Sequence, residues 1–132
     1  MITRRSLLLL TPGFFLTLAA ASAAEPSAFT PEAFLGAQKA GKPILVEVTA
    51  PWCPTCKAQA SIIEELTSGE VYKDVVVFRV DFDNQKDVVR SFNARSQSTL
   101  ISFRGQQEVA RSVGVTDPAA IEDMLAKAVS GS

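Results

Sequence analysis

From Ile44 to Thr49 the chain is almost unbrokenly apolar and rich in β-branched residues, the pattern of a strand buried on both faces. A second run, VVVFRVDF, predicts another such strand over Val75–Phe82. Between them the period changes. Ala58, Ile62, Ile63 and Leu66 recur at helical spacing until Gly69. Asn84–Phe92 carries a helical pattern with Val88, Val89 and Phe92 on one side. The stretch STLISFRGQQEVARSVG predicts two strands, Thr99–Arg104 and Glu108–Val113, joined in a hairpin at Gly105.

Start and stop residues frame two further helices. Thr30 caps one, with Pro31 in its first turn and Gly41 just past its end. Asp117 caps the last, with Pro118 at its first position and Ile121, Met124, Leu125 and Val129 as its inner stripe. Glu25–Phe29 reads as a short tether. The predicted order is α-β-α-β-α-β-β-α, an α/β domain over residues 25–132. Strands joined through helices run parallel and the closing hairpin antiparallel, giving a mixed sheet with helices on both faces.

Residues 1–24 have another character. Arg4 and Arg5 precede an apolar stretch from Leu7 to Ala20, and Ala21-Ser22-Ala23 and Ser22-Ala23-Ala24 both fit a small-x-small cleavage site. Thr11, Pro12, Gly13 and Thr17 interrupt a stretch already short for a membrane span. The expectation is a cleaved signal peptide and a soluble protein, periplasmic or otherwise exported. TRRSLL also looks like a twin-arginine signal, and a general secretory signal explains the same residues.

Composition narrows the chemistry. Of 132 residues 47% are hydrophobic, enough for a packed core, and the formal charge of −1 carries no basic footprint for nucleic acid. There is no histidine, which removes His-based acid–base catalysis, Cys₂His₂ zinc and histidine-ligated haem.

Both cysteines, Cys53 and Cys56, lie between the first strand and the following helix. Two thiols supply half a tetrahedral metal site. A structural disulfide across two residues closes so short a loop that it removes little chain entropy. A redox role suits the position better. Helix N-terminal N–H groups stabilise a thiolate, lowering a cysteine pKa from ~8.5 into the range of roughly 3.5–7.5. Strand-Cys-x-x-Cys-helix in a small α/β chain favours that reading over staple and metal.

WCPTCK after ILVEVTA resembles the thioredoxin superfamily, and the likeness covers almost the whole chain after residue 24. It implies the thioredoxin fold, thiol–disulfide oxidoreductase activity, and a Cys53–Cys56 disulfide as the redox centre, with no cofactor and no metal. By the same resemblance Cys53 attacks the partner's disulfide and the shielded Cys56 resolves the mixed disulfide. Glu47 stands where the family usually has a buried Asp that relays a proton to the resolving cysteine. Arg79 stands where a Lys commonly accompanies it, and Lys57 adds supporting charge. The alternative places Glu47 on an exposed strand edge.

One position departs from the family pattern. Where a cis-proline usually faces the cysteines, this chain has Gln97-Ser98-Thr99. Ser98 is expected to donate hydrogen bonds to the Cys53 thiolate. Trp52, Pro54, Thr55, Gln97, Ser98, Thr99 and Gly114 are expected to form the partner-docking surface.

GKPILVEVTAPWCPTCK most resembles domains that receive electrons from membrane thiol transporters of the cytochrome c-biogenesis type, and Pro54-Thr55 also occurs in exported cytochrome c-maturation thioredoxins. The insert and acidic motif of that maturation group are absent. The expected function is a monomeric reductase of cysteine-containing exported proteins, with a membrane thiol-electron transporter as a candidate partner and no nucleic acid. The alternatives are a disulfide donor or isomerase, and a protein holding copper or an iron–sulfur cluster between two chains.

Overall fold

The computed structural model describes residues 25–130. The expected signal peptide, residues 1–24, lies outside them. Five strands and four helices follow one another: β1 Ser27–Ala28, α1 Pro31–Lys39, β2 Pro43–Thr49, α2 Pro54–Thr67, β3 Val76–Asp81, α3 Lys86–Ser91, β4 Thr99–Arg104, β5 Gln107–Val113 and α4 Pro118–Ser130. They form one sheet of order β1-β3-β2-β4-β5. The β1–β3 and β3–β2 pairs are parallel, and β2–β4 and β4–β5 antiparallel. The mixed sheet is as the pattern predicts.

One element departs from the expected order. The segment read as a tether contains β1, whose Ser27 and Ala28 pair with Phe78 and Arg79. The next residue, Phe29, is buried, and its N–H donates to Arg79 O at 2.9 Å. Two small residues carry no periodicity. The aromatic side chain beside them anchors the strand.

Alternation along β2 divides the interior in two. Ile44, Val46 and Val48 face a cluster with Phe34 of α1, Phe78 and Val80 of β3, Val89 of α3 and Phe103 of β4. Phe34 lies 5.3 Å from Phe103 and 5.4 Å from Phe29 between ring centroids, edge-on to the first. Leu45 faces the other way, onto Ile63 of α2 and Ile121, Met124 and Leu125 of α4. Each fully buried aliphatic side chain contributes about 1.5–3 kcal/mol of apolar transfer.

Caps match the sequence closely. Thr30 Oγ1 accepts from Ala33 N–H at 3.2 Å, and Asp117 Oδ2 accepts from Ala120 N–H at 3.2 Å. Gly105 opens the hairpin at φ 55°. Two helical stripes differ from expectation. In α4, Ala128 is buried and Val129 is half exposed, because the stripe runs i, i+3, i+4, i+7 from Ile121. In α2, Ala58 faces solvent and Gln59 is buried. Among the described residues no helix is long and apolar enough to cross a membrane.

Candidate active site

Cys53 ends the loop after β2 and is the N-cap of α2. Cys56 lies in that helix's first turn, and the two form a disulfide with Cα atoms 5.3 Å apart. Cys53 Sγ accepts the Cys56 backbone N–H at 3.1 Å. A helix-start N–H thus points at the first sulfur, where it stabilises negative charge once the disulfide opens. Pro54 at the first helical position forfeits no helix hydrogen bond, since that N–H has no intrahelical partner. Ala50 and Phe82 pack against the sulfurs. In this oxidised form both cysteines are buried, at 3% and 5% exposure.

Glu47 sits in the central strand, directly opposite Arg79 in the β2–β3 ladder and Leu100 in the β2–β4 ladder. It is not on a strand edge. The residue is 4% exposed, and its carboxylate accepts from Arg79 Nε at 2.8 Å. Burial raises the Glu47 pKa, and the Arg79 hydrogen bond and charge pull it part of the way back. Arg79 is itself half exposed and lines a groove of about 450 Å³ with Thr49, Cys56, Lys57, Asp81 and Gln85. This groove joins Glu47's ion-pair partner to the second cysteine.

The loop before β4 holds Ser98 through its backbone. Its peptide bond is trans, and it adopts φ 60°, the left-handed region that L-residues seldom occupy. Its N–H donates to Val48 O at 2.8 Å and its hydroxyl to Gln97 O at 2.6 Å. Both donors are committed within the fold of this oxidised form, which holds the Cys53–Cys56 disulfide and no thiolate. The Ser98 carbonyl accepts from Gly114 N–H at 2.9 Å and from Gln59 Nε2 at 3.2 Å. Thr99 is likewise buried, its hydroxyl donating to Ser96 O at 2.8 Å. Ser98 and Thr99 are thus buried and bonded within this loop. Gln97 and Thr55 are half-buried, and Pro54 and Lys57 exposed.

Trp52 is 57% exposed, with its indole N–H held by Asp83 Oδ2 at 2.8 Å. Val113, paired with Thr99 at the end of β5, is also exposed and precedes Gly114 at φ 73°. Sequence reasoning missed Val113 and Gln59. The signal for Gln59 was its place between Cys56 and Ile63 on one helical stripe.

The thioredoxin family model matches residues 26–127, and the chain belongs to that family. It is 38% identical to thioredoxin-2 of Saccharomyces cerevisiae over 88 residues, covering 67% of this chain and 82% of that one. Over a similar 88 residues it is 36% identical to the bifunctional thioredoxin reductase/thioredoxin of Mycobacterium leprae, but spans only 19% of that protein. Among solved structures, Trxlp of Edwardsiella tarda superposes with a TM-score of 0.74 at 42% identity, covering 76% of this chain and 98% of that one. The protein is a thioredoxin-type thiol–disulfide oxidoreductase whose redox centre is the Cys53–Cys56 pair. Its electrons are carried by the two sulfurs, and thioredoxins need no cofactor.

Proposed function

We propose that this chain is an exported reductase that passes electrons from the Cys53/Cys56 dithiol to cysteine-containing exported proteins through a mixed disulfide. The Cys53 thiolate attacks a partner disulfide, forming an intermolecular S–S bond and expelling a partner thiolate. Cys56 then loses its proton, with Glu47 as acceptor, and attacks Cys53 Sγ. The partner leaves with two thiols, and the Cys53–Cys56 disulfide remains. The observation that carries this reading is the Cys56 N–H directed at Cys53 Sγ, which favours Cys53 as the thiolate nucleophile. Burial raises the Glu47 pKa, which makes its carboxylate a stronger proton acceptor than an ordinary one.

Export rests on residues 1–24, whose Arg pair, apolar stretch and small-residue end fit a cleaved leader. Outside the cytosol the dithiol needs an electron source, and a membrane thiol-electron transporter supplies that role. Equilibration with glutathione tests the direction of flow. A potential near −270 mV is expected of a reductase, and one near −120 mV would make the protein a disulfide donor. Cys56→Ser should accumulate a covalent complex with a disulfide substrate, whereas Cys53→Ser should not. The N-terminus of protein recovered from an exporting cell should begin at Ala24 or Glu25; an intact leader there would rule out cleavage.

A further inference from the structure

Gln59 is a polar residue on the buried stripe of α2, three positions after Cys56, and only 2% of it is exposed. Its amide nitrogen makes two hydrogen bonds, donating to Ser98 O at 3.2 Å and to Val115 O at 2.8 Å. Those carbonyls belong to two separate segments, the loop entering β4 and the chain leaving β5. The segments meet each other through Gly114 N–H and Ser98 O. One primary amide offers two N–H donors, so Gln59 can satisfy both carbonyls at once.

Ser98 needs such restraint. A non-glycine residue in the left-handed region is strained, and persists where its surroundings fix it. Here the Val48 carbonyl, the Gly114 amide and the Gln59 amide hold its backbone. Two of these three are main-chain groups available to any sequence; Gln59 is the contribution of a side chain. The helix that carries Cys53 at its cap and Cys56 in its first turn is thereby tied to the loop beside exposed Gly114 and Val113.

We infer that Gln59 is a positioning residue for protein partners: it holds the Ser98 loop and the Val113–Val115 segment in register with the cysteines. This rests on the proposed reductase activity, and wild-type reduction of a protein disulfide tests that activity first. Positioning matters for a partner large enough to touch both segments. A small disulfide needs only the sulfur.

The test is Gln59→Met, similar in length and flexibility but without donors, assayed on insulin and on a small aromatic disulfide. The expected result is a KM for insulin raised at least five-fold, kcat within two-fold, and an unchanged KM for the small disulfide. The glutathione equilibrium should not move. In the same variant, hydrogen exchange at the Ser98 and Gly114 amides should accelerate at least ten-fold relative to Leu45 in the β2 core. Should Gln59→Met fail to fold, Gln59→Leu serves instead, since it also lacks a donor and brings no buried charge. Equal losses on both substrates, or an unchanged insulin KM with unchanged exchange at Ser98 and Gly114, would overturn the assignment. Inactivity of the wild type on insulin, with normal turnover of the small disulfide, would instead count against the proposed function.

Discussion

Glu47 and Arg79 face each other across the β2–β3 ladder and are joined by a 2.8 Å hydrogen bond from Nε to Oε2. The pair is asymmetric. The acid is buried and the guanidinium half exposed, so the acid bears most of the desolvation and the base remains partly hydrated.

That asymmetry predicts the pH dependence of stability. Glu47's folded pKa is raised above its ordinary value of 4.5. Its contribution to stability is therefore fully present below about pH 4.5 and is lost as pH rises through the higher folded value. Glu47→Gln removes this loss while still accepting from Arg79. Stability at pH 7 should rise by about 1 kcal/mol, which is ~4–8 °C in Tm for a domain of this size. Denaturation of wild type and variant at pH 4.5 and 7 measures it. A gain at pH 4.5 as large as at pH 7 would show that Glu47 is not the titrating group.

Arg79→Met should have the opposite sign. Removing the guanidinium leaves the carboxylate buried without its partner, and such changes cost up to about 3–5 kcal/mol. Stability should fall more steeply with pH than in wild type. The double variant Glu47→Gln/Arg79→Met should recover most of the loss, with a coupling of roughly 1–3 kcal/mol. Additive effects in urea denaturation would mean that the two side chains act independently.

Much of this site is legible in the sequence. The cysteine spacing, the strand before it and the helix after it locate the redox centre, and a charge inside ILVEV demands a partner. The fold is nearly as open. Alternation and capping residues place β4 at its observed bounds, Thr99–Arg104. What escapes is what depends on neighbours distant in the chain. Ser27-Ala28 becomes a strand because Phe78 and Arg79 lie beside it. Gln59 turns inward because two carbonyls from other segments await it. Ser98's N–H is taken by Val48 O, a carbonyl of the β2 strand that no local pattern names.

Trp52 tests the docking surface. It is more than half exposed and holds one side-chain hydrogen bond, to Asp83. Trp52→Ala should cost under about 1 kcal/mol of stability, as is usual for surface sites. Its KM for insulin should nevertheless rise several-fold, since large exposed aromatics are frequent anchors at interfaces. Steady-state assays alongside thermal unfolding separate the two effects. A large stability loss with an unaltered KM would make Trp52 a structural residue.

Ser98 supplies the sharpest contrast between two substitutions. Proline fixes φ near −65° and has no N–H, whereas Ser98 sits at φ 60° and donates to Val48 O. Ser98→Pro therefore cannot keep the present loop. It should either lose about 3 kcal/mol or rebuild the segment between Ser96 and Thr99. Glycine behaves differently, because it occupies the left-handed region freely and keeps the backbone N–H and carbonyl. Relief of about 1–2 kcal/mol of strain is then offset by the lost hydroxyl bond to Gln97 O, worth about 0.5–1.5 kcal/mol. Ser98→Gly should thus lie within about 1 kcal/mol of wild type. Both of Ser98's donors are engaged elsewhere in the oxidised form, so Ser98→Gly should also leave the Cys53 pKa unchanged. Urea denaturation and thiolate absorbance against pH read the two quantities. A raised Cys53 pKa in Ser98→Gly would show that the serine hydroxyl turns toward the sulfur once the disulfide is reduced.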